Sequence, residues 1–301
     1  MRKIRDILLY GVLYLFSLLP LWVMYLISDF LTGLVYHVIG YRRKVVQDNL
    51  AIAFPEKSEK ERKHIAKRFY RNFTDTILES IKLISSGQKL IDRMFVVDPQ
   101  AFSVFEGTEK NIQIHAMHNF NWEIINLGVS KQMKLPFLGV YQPIINPFFE
   151  ALFRKIRTRN GTLLIPANDF KNNFIPHQGK QYVLALVADQ NPGHPAKAWW
   201  IDFFGKPAPF VTGPEKAARM RDTVVVFAHF FRLKRGVYTF TTQKITDQPS
   251  SMPEGELTIR YLNYIEQKIR EQPDNYLWSH RRWKHPFKPE YKDLVLERKV
   301  Q

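Results

Sequence analysis

His118 and Glu123 stand five positions apart, directly after an apolar run that alternates like a β-strand. An imidazole can remove a proton from an alcohol, and a carboxylate beside it can hold its tautomer and stabilise the imidazolium. On one continuous helix the two side chains would point about 140° apart. They meet if His118 ends the strand, residues 119–121 turn, and Asn121 caps a helix whose first turn carries Glu123. The spacing therefore predicts a general base, His118, with Glu123 as its orienting carboxylate.

Two other interpretations of these residues stay open at this point. A lone histidine and glutamate at this spacing are more often a loop histidine and a surface glutamate. A zinc site made of His115, His118 and Glu123 also fits the residue types. Strand alternation, however, puts His118 on the face of Ile114 and Ala116 and turns His115 to the opposite face. We therefore predict no metal at this site.

The elements around the motif alternate between strands and helices. Strand patterns, several of them continuous apolar runs typical of strands covered on both faces, occupy residues 111–118, 135–141, 162–165, 182–188, 223–231 and 237–242. Helical patterns occupy residues 45–54, 62–84, 121–131, 147–159, 212–221 and 254–271. Ser58–Glu61 and Thr212–Glu215 each have the form of a capping box. This alternation predicts an α/β fold.

The N-terminus is apolar enough to enter a membrane. The stretch from Ile7 to Ser28 carries no charge and matches the roughly 20 residues that a transmembrane helix needs. Pro20 should kink or split that helix. One tilted span and a kinked hairpin in one leaflet both fit, whereas a buried core helix fits least because no wide polar face is visible. We expect residues 1–44 to form a membrane-associated segment and residues 45–301 the globular domain.

Composition narrows the function classes. The formal net charge is +16, which suits nucleic acid, an anionic membrane surface or an acidic substrate. A basic nucleic-acid-binding protein would explain the charge but not the uncharged N-terminal stretch, and the sequence has no recognisable nucleic-acid-binding motif. The chain has no cysteine, which excludes disulfides, a cysteine nucleophile and thiolate metal sites. We predict no nucleic-acid partner.

Eight motifs together resemble a known family. The segment His118 to Glu123 resembles the His-x4-Asp/Glu signature of glycerolipid-type acyltransferases, and its Asn-Trp-Glu form is typical of the bacterial lipid A biosynthesis (lauroyl/myristoyl) acyltransferases. The other motifs, in chain order, are Tyr41-Arg42-Arg43, Asn49-Leu50 with Phe54-Pro55, Tyr141-Gln142-Pro143 with Asn146-Pro147, Arg157-x-Arg159-x-Gly161, Ala188 to Gly193, Phe203-Phe204-Gly205 and Trp278 to Lys284. Their order and spacing carry the resemblance, which covers nearly the whole chain.

The resemblance implies a fold and a reaction. The fold would be a mixed central sheet flanked by helices, of the glycerolipid acyltransferase type, behind an N-terminal membrane helix or hairpin. The reaction would move a fatty acyl chain from a thioester, on acyl carrier protein or coenzyme A, to a hydroxyl of a phosphorylated glycolipid, a lipid A precursor. The enzyme would work at the bacterial inner membrane, with its active site facing the cytoplasm and in contact with inner membrane lipids. An aminolipid or a lysophospholipid is the alternative acceptor, and a non-catalytic membrane scaffold of the same fold is disfavoured by the intact His118 and Glu123.

The residues suit that chemistry. No cysteine and no Gly-x-Ser-x-Gly elbow is present, so we predict direct attack of the hydroxyl without an acyl-enzyme and without a cofactor. The backbone near Asn121 and Trp122, together with arginines, would stabilise the oxyanion. Substrate phosphates would be bound by a set of polar and basic residues: Arg157, Arg159, Asp189, Gln190, Arg281 and Arg282. Asp189 would orient one of these arginines or cap the turn that follows it.

One position departs from the family pattern, and one cluster stays ambiguous. Gln142 stands where the family usually has arginine, which removes a positive charge expected near the acceptor. The aromatic residues Trp199, Trp200, Phe203 and Phe204 could line an acyl channel or dip into the membrane interface, but such a cluster is more often core.

Overall fold

The computed structural model describes residues 2–298. Its centre is a six-stranded sheet in the order β3-β2-β4-β1-β7-β8. The strands are β1 (Ile112–Ala116), β2 (Phe137–Tyr141), β3 (Leu163–Pro166), β4 (Val183–Val187), β7 (Val224–Lys234) and β8 (Val237–Thr246), with β5 (Trp199–Phe203) and β6 (Lys206–Phe210) forming a separate antiparallel hairpin. All neighbours in the large sheet pair in parallel except β7 and β8. The predicted mixed sheet flanked by helices is confirmed.

Eleven α-helices of the described chain surround the sheet. They are α1 (Arg2–Ser17), α2 (Leu21–Gly33), α3 (Arg43–Ala53), α4 (Glu59–Lys82), α5 (Gln88–Met94), α6 (Pro99–Ser103), α7 (Trp122–Gln132), α8 (Pro147–Arg157), α9 (Phe170–Phe174), α10 (Gly213–Arg221) and α11 (Glu256–Glu271). The predicted capping box at Ser58 and Glu61 is present. The one predicted at Thr212 and Glu215 is wrong: Thr212 makes no cap, and the buried Glu215 carboxylate instead accepts hydrogen bonds from the start of α11.

The sheet is covered on both faces by apolar side chains. Ile112, Ile114 and Ala116 face a core shared with α5 and α7, while Met117 belongs to the core shared with α3, α4 and α11. The aromatic set at β5 and the following turn is buried in the fold, with Trp199, Phe203 and Phe204 in that second core and Trp200 stacked on Tyr291. The core alternative for these residues is therefore the observed one.

The N-terminal segment is two helices rather than one. Proline 20 separates α1 from α2, as predicted, and a π-helical stretch, Leu34–Ile39, continues α2. Leu21–Ile39 is long and apolar enough to cross a membrane, by length and composition, and only 17% of its apolar window is buried. Its polar side nevertheless packs on α4: the Ser28 hydroxyl donates to Asp75 at 2.6 Å, and Arg235 bridges Asp75 and Asp29. The helix is therefore not a buried core helix, although one side of it is held by the globular domain.

Candidate active site

His118 is hydrogen-bonded to Asp189, not to Glu123. The imidazole Nδ1 lies 2.6 Å from Asp189 Oδ1, and the His118 backbone N–H donates to the other carboxylate oxygen at 3.2 Å. The carboxylate is fully buried, whereas the imidazole is partly exposed. The prediction that Glu123 orients His118 is wrong, and Asp189 has that position instead.

Strand pairing explains why these two residues meet. β1 and β4 are parallel neighbours in which Ala116 pairs with Val187. His118 and Asp189 each follow two residues after that pair, so they leave the same sheet edge side by side. The loop after His118 is fixed further by the chain near residue 276: the Leu277 N–H donates to the His118 carbonyl, and the Asn275 side chain accepts from the Phe120 N–H.

The electrostatics favour an ionised Asp189. Burial alone would raise the pKa of Asp189, but the adjacent His118 and its hydrogen bonds outweigh burial and hold that pKa below its usual value. A carboxylate at Nδ1 selects the tautomer that carries its proton there, which leaves Nε2 as the basic nitrogen. Within the described chain, His118 Nε2 makes no hydrogen bond to protein, so it is available to a substrate hydroxyl.

Glu123 forms a second buried ion pair beside the first. Its carboxylate accepts from both Nε and the terminal NH2 of Arg157, with the shortest contact at 2.6 Å, and also accepts from the Trp122 indole at 3.0 Å. Burial lowers the pKa of Arg157, but its bonds to Glu123 and the charge of that carboxylate leave the pKa raised. Arg157 is thus bonded to Glu123. The sequence predicts a substrate phosphate as its partner and does not indicate this ion pair.

The start of α7 is capped as expected. The Asn121 side-chain oxygen accepts from the Glu123 N–H at 3.1 Å and from the Ile124 N–H at 3.5 Å. The next two amides of the helix are therefore already satisfied. The backbone N–H groups of Asn121 and Trp122, the two residues predicted to face an oxyanion, make no hydrogen bond within residues 2–298.

A cavity of about 560 Å³ opens beside these pairs. Its volume is within the range of small-molecule sites. His118, Glu123, Arg157, Gln142 and Gln190 supply its polar groups. The rest of the lining is mainly apolar and includes Ile114, Ala116, Ile125, Val129, Phe137, Gly139, Leu164, Ala185, Ala228, Phe230 and Phe240. A histidine that can accept a proton thus lines a mainly apolar cavity.

Two of the predicted phosphate-binding arginines have structural partners. Arg159 donates to the Leu83 and Ser86 carbonyls, where it satisfies the end of α4. Arg282 is fully buried, donates to Asn191 and to the Pro209 carbonyl, and lies over the ring of Phe210. The fully buried Arg282 cannot reach a substrate phosphate, so its assignment is wrong. Arg159 and Arg281 are exposed, and their assignment to a substrate phosphate stays a prediction.

The remaining motif residues hold the segment behind Asp189. The Asn49 amide donates to the Trp278 and His280 carbonyls, and His280 accepts from the Asn191 N–H. Burial lowers the pKa of His280 to about 4, which keeps the ring neutral for that role. These contacts explain why residues far apart in the sequence accompany the His118 motif.

His115 lies apart from the site. It is buried on the opposite face of β1, 2.6 Å from the Gln113 amide and stacked on Phe227, and burial lowers its pKa to about 3. Within residues 2–298 no three His, Asp or Glu side chains converge as metal ligands do.

Sequence reasoning missed the partner of His118 and one buried carboxylate. Asp189 ends a predicted strand, as His118 does, but nothing local says that their strands are neighbours. Glu79 on α4 is fully buried and bonded to Asn121. Hydrophobic patterning could not reveal this place, because Ile77 is 45% exposed whereas Asp75, Thr76, Glu79 and Ser80 of the same helix are buried.

Comparison with known proteins agrees with this geometry. The sequence profile of the family described as bacterial lipid A biosynthesis acyltransferase matches residues 1–285. The chain is 27% identical to a lipid A biosynthesis lauroyltransferase of Escherichia coli K12, over 91% of this chain and 89% of that protein. It is 23% identical to a lipid A biosynthesis acyltransferase of Haemophilus influenzae, over 87% and 83%, and 21% identical to a lipid A biosynthesis palmitoleoyltransferase of Escherichia coli K12, over 91% and 89%. The chain therefore belongs to the bacterial lipid A biosynthesis acyltransferase family and is an acyltransferase.

Proposed function

We propose that this enzyme transfers a fatty acyl chain from an acyl thioester to a hydroxyl of a lipid A precursor. The observation that carries the proposal is the buried Asp189 carboxylate on Nδ1 of a histidine whose Nε2 faces an apolar cavity. A lipid hydroxyl ionises far above neutral pH, so its attack needs a base positioned to take the proton. A fatty acyl chain needs an apolar space that begins at the reacting carbon.

His118 acts as the base in this mechanism. Its Nε2 takes the proton of the hydroxyl while the hydroxyl oxygen bonds to the thioester carbonyl carbon. The tetrahedral intermediate then collapses, the carbon–sulfur bond breaks, and the imidazolium returns the proton to the leaving thiolate. Asp189 holds the tautomer and stabilises the imidazolium between these steps. No acyl-enzyme forms, since the attacking group is the acceptor itself.

The oxyanion is stabilised at the start of α7. The Trp122 N–H is free to donate, and the positive end of the α7 dipole lies at the same place. Arg157 adds a fixed positive charge, which its pair with Glu123 holds in position. The role of Glu123 is therefore to hold Arg157 and the Trp122 indole at the cavity wall rather than to orient the base.

The donor and acceptor occupy different parts of the site. The acyl chain lies in the apolar part of the cavity, and its thioester, on acyl carrier protein or coenzyme A, reaches it from the polar end. No further cofactor takes part. Gln190 in the wall and the exposed Arg281 contact the polar parts of the substrates. Gln142 is exposed in the wall where the family usually has arginine, which favours an acceptor with fewer phosphates, an aminolipid or a lysophospholipid, as the second candidate.

The enzyme acts at the inner membrane, on its cytoplasmic side. The outer face of α1 exposes a row of apolar side chains, Ile4, Leu8, Val12 and Leu15, and α2 exposes Trp22, Leu26 and Phe30. The other side of α2 carries Ser28, whose buried hydroxyl donates to Asp75 of the globular domain. A helix held in this way lies on the membrane surface more readily than it crosses the bilayer, so we favour a hairpin embedded in one leaflet.

The test is lipid A from a strain that lacks the gene. Mass spectrometry should show lipid A short of one acyl chain, restored by the wild-type gene and not by His118→Ala. Purified enzyme given either thioester donor, with a lipid A precursor, a lysophospholipid or an aminolipid, identifies the pair that reacts. A complete acyl set in the deletion strain, with transfer to one of the other acceptors in vitro, would replace lipid A with that acceptor.

A further inference from the structure

Glu79 gathers three elements at one buried carboxylate. One of its oxygens accepts from the Tyr25 hydroxyl of α2 at 2.8 Å. The other accepts from the Asn121 amide at the start of α7 at 2.9 Å and from the Tyr238 hydroxyl of β8 at 2.6 Å. Glu79 is 1% exposed, and none of these contacts is part of the proton transfer described above. Any buried carboxylate needs hydrogen-bond donors. Here two of the donors are Tyr25 of the membrane-facing helix α2 and Asn121 beside the active site, so Glu79 connects the two.

The contact with Asn121 decides which way its amide points. Because the Asn121 NH2 group donates to Glu79, its carbonyl oxygen is turned toward the Glu123 and Ile124 amides that it caps. Burial raises the pKa of Glu79, but two tyrosine hydroxyls already donate to its two oxygens. The oxygens therefore act as acceptors and select this orientation of the amide over the flipped one. The cap in turn fixes the first turn of α7, which brings Trp122 and Glu123 to the cavity wall.

The contact with Tyr25 is built into the fold. Gly236, in the turn between β7 and β8, has a φ of +76°, and a Cβ there would collide with the Tyr25 hydroxyl. A glycine at this place both permits the turn and leaves room for the phenol beneath it. The contact between Tyr25 of α2 and Glu79 therefore depends on a glycine at position 236.

A second buried carboxylate one turn earlier provides a comparison. Asp75 accepts from the Ser28 hydroxyl of α2 at 2.6 Å and pairs with Arg232 and Arg235. It holds α2 just as Glu79 does. None of its partners, however, belongs to α7. Both carboxylates therefore attach α2 to α4, but only Glu79 also contacts the start of α7.

We propose that Glu79 is a positioning residue for acyl transfer, which sets the start of α7 through Asn121 and links it to α2 through Tyr25. The proposal rests on the proposed function, because its consequence is measured on the acyl-transfer step. The contact from Tyr25 to Glu79, rather than docking of α2 as such, then favours the active geometry, so its loss lowers turnover without changing a residue of the cavity.

The experiment compares variants of the full-length enzyme in detergent. Glu79→Gln keeps the size of the side chain but brings an NH2 group against donors, and it should lower kcat about tenfold while KM for the acyl donor stays within about twofold. Tyr25→Phe should lower kcat about threefold for the same reason. Ser28→Ala is the matched control: it also removes one α2 hydroxyl from a buried α4 carboxylate, and its kcat should equal that of the wild type.

A second readout does not depend on turnover. Hydrogen exchange of the Glu123 and Ile124 amides should quicken in Glu79→Gln and Tyr25→Phe and stay unchanged in Ser28→Ala. Faster exchange with no acyl transfer by the wild type would keep the link and reject the proposed function. Unchanged exchange in Tyr25→Phe, or an equal loss of kcat in Ser28→Ala, would overturn the positioning role. If Glu79→Gln does not fold, the Tyr25→Phe and Ser28→Ala pair still decides the matter.

Discussion

Two buried ion pairs stand side by side at the cavity, and they differ in what their cations can do. Asp189 and Glu123 each hold a basic group at 2.6 Å, and each carboxylate is nearly inaccessible to solvent. The group on Asp189 is an imidazole, a side chain that can accept and return a proton, whereas the group on Glu123 is a guanidinium, which keeps its charge. The first pair is therefore suited to move a proton, and the second to provide a fixed field. His118 and Glu123, although only five positions apart in the sequence, therefore belong to two different pairs.

The largest expected effect comes from removing the base. His118→Ala should lower kcat for acyl transfer by about 10³-fold, since general-base catalysis typically contributes 10²–10⁴. The thermal unfolding midpoint should also fall, because the variant leaves the fully buried Asp189 carboxylate without its imidazole partner, so the kinetics are measured well below that midpoint. Steady-state kinetics and calorimetry on the same preparation measure both quantities. Turnover close to that of the wild type would reject the first pair as the proton-moving one.

Breaking the second pair should cost stability as well as activity. Glu123→Leu leaves the mostly buried Arg157 charge without its partner, and loss of one member of a buried ion pair typically costs about 3–5 kcal/mol. Arg157→Leu combined with Glu123→Leu should recover part of that loss, because no unpaired charge remains. Chemical denaturation of the single and double variants gives the coupling. Additive losses in this cycle would mean that the two side chains do not act as a pair.

The two neighbouring arginines 281 and 282 extend the comparison to the surface. Arg282→Ala should destabilise the fold by about 3 kcal/mol, because its carbonyl and Asn191 partners lose a buried donor. Arg281→Ala should leave the unfolding midpoint unchanged and raise KM a few-fold, as expected of an exposed charge that contacts a substrate. Salt should weaken the contribution of Arg281 and not that of Arg282. A stability loss in Arg281→Ala equal to that in Arg282→Ala would contradict this division.

The smallest expected effect concerns His115, which lies three positions before His118 but outside the site. Burial lowers the pKa of His115 to about 3, so the unfolded chain binds a proton there that the folded chain does not. Its contribution to stability is complete above about pH 6.5 and is lost as the pH falls from there toward 3. Unfolding free energies at pH 7 and pH 5 should therefore differ less in His115→Gln than in the wild type. An unchanged pH dependence in this variant would place the effect on His229 and His280, whose pKa values burial also lowers, to about 4 each.

The parts of the site that depend on neighbouring residues could be predicted from the sequence. Strand alternation places His118 at the end of β1 and turns His115 away, and Asn121 starts α7, because these features depend on neighbours within a few residues. Asp189 could be assigned to a strand end by the same means. Its partner could not, since β1 and β4 are separated in sequence by two other strands and become neighbours only through the topology of the sheet.

Charged residues were the least predictable part. A run of arginines is usually solvated, and its members look alike in the sequence, yet Arg282 is fully buried and Arg281 is exposed. Glu79 of α4 is a second example. It is buried because Tyr25 of α2 and Tyr238 of β8 donate hydrogen bonds to it, and a hydrophobic pattern cannot reveal such partners. Long-range pairing decides the role of such residues.

Asp189→Asn and Glu123→Gln, compared side by side, test most directly which carboxylate serves the base. We expect Asp189→Asn to lower kcat/KM by about 10²-fold or more, because an amide at Nδ1 no longer selects the productive tautomer or stabilises the imidazolium. Glu123→Gln should keep the pH dependence of kcat/KM seen in the wild type, with a smaller loss in its plateau. The measurement is the full pH profile of kcat/KM for both variants. A normal plateau in Asp189→Asn, with the basic limb lost or displaced in Glu123→Gln, would contradict the assignment of Asp189 as the partner of His118.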